Sequence, residues 1–277
     1  PTTLFRSRAP VDILLQLSDH RNANLQLAGT ETILNLVLKD ERWDLIPACL
    51  QRGVDINAVE TLRGNTPLLE ALRNIEVPKE VISQLISPTN INMQNNSVVD
   101  LDTPLHSVIK SKRWDLVNML ITHGADVNII DKHESTMLYS AVCEGKIPFN
   151  IVTLVINESD NINKKCGYGK DTALYRAVAN ARWDVVEVLI EHKADVNIGD
   201  CSNNTPLHCA VKYNEEVPLN VIKLLISDQT INMYNHRSET PLIGLISYIR
   251  NVPVKDLFHV LISHGATIDV VDVIKIV

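Results

Sequence analysis

Three groupings in the chain have residue types that do chemistry. His106 and His208 each close a Thr-Pro-Leu-His run, and imidazole is the usual side chain for proton transfer or metal ligation near neutral pH. Five cysteines, Cys49, Cys143, Cys166, Cys201 and Cys209, are potential nucleophiles or metal ligands once ionised. Gly167-Tyr168-Gly169-Lys170 carries the glycines and the lysine of a phosphate-binding loop. The thiols and the glycine loop fail on spacing. The cysteines are odd in number and no two form a Cys-x-x-Cys pair, so neither a disulfide framework nor a zinc site is expected. The reading that follows is reduced thiols in an intracellular protein. The glycine run lacks a preceding strand and the rest of a Walker motif, which makes it the tip of a hairpin loop. Gly-x-Gly-x-x-Gly, His-Glu-x-x-His and Gly-x-Ser-x-Gly do not occur. No catalytic residue, cofactor or metal is expected, and the chain is read as a non-enzyme.

The elements that would position such residues are repeats. Asn204-Thr205-Pro206-Leu207-His208-Cys209-Ala210-Val211 recurs as Asp102-Thr103-Pro104-Leu105-His106-Ser107-Val108-Ile109. Looser copies start at Thr32, Thr66, Thr136, Thr172 and Thr240, so the seven threonines follow one another at 34, 37, 33, 36, 33 and 35 residues. In each unit the Thr hydroxyl is placed to cap a first helix, and a following Pro has no amide to leave unpaired. Leu105 with Val108, and Leu207 with Ala210, share the inward face of that helix. A second helix follows, as in Trp114 to Ile121. It stops at His123-Gly124, where Gly adopts the left-handed turn.

Two kinds of repeat alternate, and from Thr66 on units two apart are separated by 68 to 70 residues. One kind opens its second helix with Arg42-Trp43-Asp44, Arg113-Trp114-Asp115 or Arg182-Trp183-Asp184; the other has Pro78, Pro148 or Pro218 there. Pro253 in the last repeat breaks the strict alternation. The pattern reads as duplication of a two-repeat block.

A threonine-led unit of about 33 residues with Thr-Pro-Leu-His chemistry resembles the ankyrin repeat. The resemblance runs from about Thr32 to the last residue and implies an all-α solenoid of stacked helix-turn-helix units joined by β-hairpin loops. The domain plan is a helical N-terminal cap over 1–29 and a repeat domain over 30–277, with repeats starting near 32, 66, 103, 136, 172, 205 and 240. The family implies that His106 and His208 tie neighbouring repeats to backbone near the hairpin. They lie three repeats apart, at roughly 10 Å per packed layer, too far to share a ligand. Tyr139 and Tyr175, and Leu69 and Ile243, replace this His, so those interfaces should trade a polar tie for apolar contact. The tryptophans stand where the family has a core Leu, with the adjacent Arg on the surface. His123, His192 and His264 should meet free carbonyls at helix ends. Lys193 takes the place of the turn glycine.

Composition sets the limits. The net charge of −7 gives no general attraction to nucleic acid or to an anionic membrane. No run of about 20 apolar residues spans a bilayer. Aromatics are 4 % against 45 % apolar residues, so the core must be built from Leu, Ile, Val and Ala. The chain opens at Pro1 without a leader, as expected of a fragment, and its apolar tail from Val270 to Val277 either packs on the seventh repeat or marks a truncation.

Function is expected on exposed positions of the first helices and hairpin tips. The expected partner-binding residues are Arg73, Lys110, Arg176, Lys212, Tyr213 and Tyr248 on first helices, and Val98, Val99, Tyr168 and Tyr234 on loops. Ser107 and Cys209 are counted among the exposed first-helix positions. The resemblance also implies that Asn128 and Asn197, each eight residues after a Leu, are hydroxylation targets. The leading expectation is a monomeric scaffold that binds another protein through its concave groove and hairpin loops. The alternative is the interaction arm of a larger enzyme, or of a translocated effector from an intracellular microbe or virus. A cytoplasmic or otherwise intracellular location follows from either.

Overall fold

The computed structural model describes residues 31–96, 101–144, 147–213, 217–247 and 255–268. Among these residues fourteen α-helices form seven pairs and no strand occurs. The first helices are α1 (Ile33–Lys39), α3 (Pro67–Arg73), α5 (Pro104–Lys110), α7 (Met137–Cys143), α9 (Ala173–Ala179), α11 (Pro206–Tyr213) and α13 (Pro241–Ser247). The second helices are α2 (Ile46–Gln51), α4 (Lys79–Leu85), α6 (Trp114–Thr122), α8 (Phe149–Asn157), α10 (Trp183–Glu191), α12 (Leu219–Leu225) and α14 (Lys255–Ser263). Two compact units divide the chain, Pro1–Lys132 with the first three pairs and His133–Val277 with the last four. The cap expected over 1–29, the tail from 270, and Val98, Val99 and Tyr248 lie outside the described residues, as does the Tyr213 side chain.

Six of the seven first helices are only 7 residues long, well below the length at which an isolated helix holds in water. Each is started by its threonine. Thr32, Thr66, Thr103, Thr136, Thr172, Thr205 and Thr240 accept the amide three residues on at 3.2 to 3.4 Å. Such a cap contributes about 1 kcal/mol. The rest of the stability comes from stacking. In the first unit α3 packs on α1 and α5; in the second α9 packs on α7 and α11, and α11 on α13. The inward residues are Leu, Ile, Val and Ala as composition requires, with Leu34, Leu68, Leu72, Leu116, Leu120, Val152 and Leu189 removed from solvent.

The hairpins are tight turns rather than strand ladders. Five of them close on a backbone bond: Glu60 N to Asn65 O, Asn95 N to Asp102 O, Cys166 N to Asp171 O, Asp200 N to Asn204 O and Asn235 N to Glu239 O. Only Cys166 and Asp171 form a bridge of β type between described residues.

Three expectations need correction. Trp43, Trp114 and Trp183 are half-buried rather than core. Trp114 and Trp183 open their second helices and Trp43 opens a 3-10 turn ahead of α2, while burial falls on the residues that follow, Leu116 and Val117 or Val185 and Val186. The neighbouring Arg113 and Arg182, expected on the surface, have side chains only 12 % and 16 % exposed. Arg113 Nη1 donates to the Val77 and Asn74 carbonyls at 3.0 and 3.4 Å, and Arg182 Nη1 to the Ile147 carbonyl at 3.2 Å. Arg182 also grips Asp184 through two bonds of 3.0 Å. The prolines stand one residue before the second helix, not in it. Pro78, Pro148 and Pro218 have extended ψ of 147°, 139° and 135°. Their carbonyls accept the first helical amides, as an N-cap does.

The ends of the second helices behave as the sequence indicates. Nδ1 of His123, His192 and His264 lies 2.7 to 2.9 Å from the carbonyl four residues back. Gly53, Gly124 and Gly265 then turn left-handed with φ of 76°, 92° and 91°, and Lys193 is forced into the same conformation at 69°. Nothing stands within 4 Å of a Cβ placed on Gly124, so the two sites differ only in backbone strain. Lys193→Gly should stabilise the protein by up to about 1 kcal/mol, and Gly124→Ala should destabilise it by a similar amount. Urea unfolding of both variants checks the pair.

Candidate interaction surface

The seven threonines fix where charge collects. The residue before each is Glu31, Asn65, Asp102, Ser135, Asp171, Asn204 or Glu239, and the acids among them receive the first-helix cations. Lys39 pairs with Glu31. Lys110 Nζ reaches Asp102 Oδ1 at 2.7 Å, and Arg73, from the preceding repeat, approaches Oδ2 of the same carboxylate at 3.9 Å. Lys212 lies 4.0 Å from Glu239 of the following repeat with a side chain only 9 % exposed. Arg176 pairs with Asp171. Of the cations expected to meet a partner, Arg73 and Lys212 thus reach an acid of the following repeat and Lys110 and Arg176 an acid of their own, and Lys110, at 47 %, presents more of its side chain than Arg73, Arg176 or Lys212.

Arg176 does more than balance Asp171. Its Nη2 donates to the Tyr139 hydroxyl at 3.1 Å, and its guanidinium lies 5.7 Å from the centre of the Tyr139 ring, inside the range of cation–π attraction. Tyr139 therefore keeps a polar tie to the next repeat, contrary to the expected exchange for apolar contact. The phenol is long enough to reach a side chain one repeat along, where imidazole reaches backbone. Burial, with the Asp171 carboxylate beside it, raises the Tyr139 hydroxyl far above its ordinary range. At the Leu69 and Ile243 positions the expected apolar filling holds, since both are buried.

His106 and His208 both cap their own helices, but the expected tie to backbone of the next repeat is made by His208 and not by His106, whose Nε2 is buried without a hydrogen-bond partner. Each Nδ1 accepts the backbone amide of its own Thr, at 3.4 Å for His106 and 3.2 Å for His208, completing a reciprocal cap, and lies 2.8 Å from that Thr's hydroxyl. Nε2 of His208 is 3.1 Å from the Glu239 carbonyl of the following repeat. Burial lowers both imidazoles below the ordinary 6.5. Among the described residues no group of three or more His, Cys, Asp or Glu is arranged to hold a metal. All five cysteines are free, and burial pushes the Cys49 thiol up to about 11 and that of Cys209 to about 12, which keeps both protonated near neutrality. Ser107 and Cys209, expected on the exposed face, are buried. Their position on the first helix turns toward the neighbouring first helix, not into the groove.

The asparagines that close the repeats are structural. Asn197 Oδ1 accepts Ser227 Oγ at 2.6 Å while its Nδ2 donates to Asp195; Asn57 and Ser87 repeat the first contact at the same distance. Asn92 donates to the Gly124 carbonyl and accepts the Asp126 amide, and Asn232 treats Gly265 and Thr267 likewise. Asn128 and Asn197 are both half-buried.

The hairpin tips are the open apolar ground. Tyr168 is 90 % exposed and Leu62 75 %, with Tyr234 at 44 %. Tyr168 is not loose: its ring stands 5.5 Å from that of His133, and Lys170 pairs with Glu134 across the same two tips at 3.1 Å. The exposed Leu62 escaped sequence reading because its loop has ordinary length and carries no aromatic residue.

Capped helix pairs, joined by side-chain ties and ending in exposed loop tips, define a helical repeat protein. The ankyrin-repeat model, described as ankyrin repeats in three copies, matches residues 76–166 and 148–236, more than half of the chain, and the chain belongs to that family. It is 28 % identical over 73 % of its length to the putative ankyrin repeat protein FPV244 of fowlpox virus, of which it covers 29 %. It is 29 % identical over 68 % of its length to the nuclear factor NF-kappa-B p105 subunit of Gallus gallus, covering 19 % of that protein. The B-cell lymphoma 3 protein homolog of Mus musculus is 30 % identical over 59 % of the chain, which covers 36 % of it. The chain thus spans well under half the length of these three relatives. Among the described residues no helix is long and apolar enough to cross a membrane.

The two capping histidines make stability depend on pH. Folded imidazoles resist protonation and unfolded ones do not, so the unfolded chain binds more protons below about 6.5 and stability falls as pH drops through that value. His106→Leu/His208→Leu, with Leu as at position 69, should lose less stability than the parent between about pH 7.5 and about pH 5.5. Urea unfolding at the two pH values gives the comparison.

Proposed function

We propose that the chain is a non-catalytic scaffold that holds another protein through the first-helix face and the hairpin tips. The observation that carries this reading is the set of tips: Leu62, Tyr168 and Tyr234 expose apolar surface on short turns whose backbones are bonded at the base. Rigid exposed aromatics lose little entropy on binding and are favoured anchors. The scaffold functions as a monomer and intracellularly, which the free cysteines and the viral and NF-kappa-B relatives support. Neither nucleic acid nor membrane is its target, in keeping with the net charge of −7. Asn128 and Asn197 are its candidate hydroxylation sites. Hydroxylation of Asn197 would meet the Ser227 contact directly.

A second reading is favoured by the coverage of the relatives. All three are much longer than this chain, so the repeats serve as the interaction arm of a larger protein, including a viral or microbial effector acting in a host cell.

The tagged chain should retain a protein from chicken-cell lysate that a Leu62→Ser/Tyr168→Ala/Tyr234→Ala variant of unchanged circular dichroism does not retain. Loss of three central anchors of at least 1 kcal/mol each corresponds to a weakening of about a hundredfold or more. Equal retention by parent and variant would move binding off the tips.

A further inference from the structure

The hairpin turns of the second unit hold their acids inward and their cations outward. Turns 166–171, 200–204 and 235–239 contain three acids, Asp171, Asp200 and Glu239. Asp171 is 2 % exposed and pairs with Arg176. Asp200 is half-buried and accepts the amides of Ser202 and Asn204 at 2.9 and 2.8 Å. Glu239 accepts Asn235 Nδ2 at 3.1 Å and faces Lys212 at 4.0 Å. Lys170 is matched by Glu134. Lys165 and Arg237, by contrast, are exposed and form no ion pair among the described residues. Lys165 precedes Cys166, which is buried and bridged to Asp171, so alternation along the extended backbone turns the lysine outward.

Each of these cations stands three residues from an exposed tyrosine in its own hairpin, Lys165 from Tyr168 and Arg237 from Tyr234. The turns are fastened to one another. Cys201 N donates to the Gly169 carbonyl at 2.7 Å, His236 N to the Ser202 carbonyl at 2.9 Å, and Asn203 Nδ2 to the Tyr234 carbonyl at 2.8 Å. The first unit repeats the combination on its own. Leu62 and Arg63 are exposed, Arg63 forms no ion pair among the described residues, and the Glu60 carboxylate is 7 % exposed and holds the amides of Leu62, Arg63 and Asn65. Tips that are apolar and positive, on a chain of net charge −7, are complementary to a segment that is apolar and negative. Single-stranded nucleic acid brings a phosphate with every nucleotide, and the carboxylates behind this row oppose that unbroken charge. Side-chain carboxylates can be spaced to meet the two cations alone.

We infer that the turns of the second unit take an extended acidic segment of the partner protein, with apolar side chains against Tyr168 and Tyr234 and carboxylates at Lys165 and Arg237. Successive turns follow the spacing of packed helices, roughly 10 Å, so the outer two are about 20 Å apart and about six extended residues span them. The inference rests on the scaffold reading and gives that partner a charge and a conformation.

The full chain, isotope-labelled, would be titrated with acetyl-Gly-Glu-Leu-Asp-Glu-Asp-Leu-Glu-Gly-amide, with its counterpart in which Gln and Asn replace the acids, and with octathymidylate, and followed by amide chemical shifts. The acidic peptide should move the amides of Gly167 to Lys170 and of His236 to Ser238, and the neutral one should not. Lys165→Glu/Arg237→Glu changes only exposed side chains. It should leave the melting temperature unchanged while weakening the acidic peptide about tenfold or more, and Lys165→Gln/Arg237→Gln should weaken it in the same direction by less. Equal shifts with the neutral peptide, tighter binding of octathymidylate, no shifts at these turns, or indifference to both variants would each overturn the acidic segment. A lysate partner that needs Tyr168 and Tyr234 but survives Lys165→Glu/Arg237→Glu would leave the scaffold standing and remove only this inference.

Discussion

Each repeat of this chain depends on one hydroxyl. A seven-residue helix leaves its first amides without partners and is too short to exist alone. The threonine that precedes it accepts one of those amides in every repeat, six of the seven times from a buried position. With the start of the helix fixed to the residue, the leucines that follow are set in register with the helices on either side. Where the residue just before the threonine is acidic, it is placed within reach of a cation from its own first helix or a neighbouring one, and at Asp102 from both. Capping, packing and charge pairing are consequences of a single anchored dihedral sequence.

That anchor is also what sequence reading finds most readily, because a local motif needs no knowledge of its neighbours. Seven helix pairs, their caps, the glycine turns and the strained Lys193 could all be read from spacing. What could not be read is whatever joins one repeat to the next. Arg73 looked like an open groove residue because Asp102, its partner, stands twenty-nine positions away. Arg176 was placed correctly on its helix, but its bond to Tyr139 crosses thirty-seven positions. The tryptophans take the place of a core Leu in the family pattern, yet at the start of a helix or of the turn before it they remain half-buried. Leu62 was missed altogether, since exposure of an apolar residue at a tip has no periodic signature.

The ties that escaped the sequence share a chemistry. Arg113, Arg182, Asn92, Asn180 and Asn232 all donate to backbone carbonyls of a neighbouring repeat. A carbonyl acceptor is present whatever side chain its residue carries, so such a tie constrains only one of the two sequences it joins. The stack can hold together while most exposed positions vary, which is the condition under which one scaffold serves different partners.

The placement of two of those arginines carries a further meaning. Arg113 and Arg182 each reach the carbonyl immediately before a proline, Val77 before Pro78 and Ile147 before Pro148. An arginine repeat is thus fitted to follow a proline repeat. The alternation legible in the sequence is matched at Val77 and Ile147 by a contact whose two halves stand in repeats of different kind.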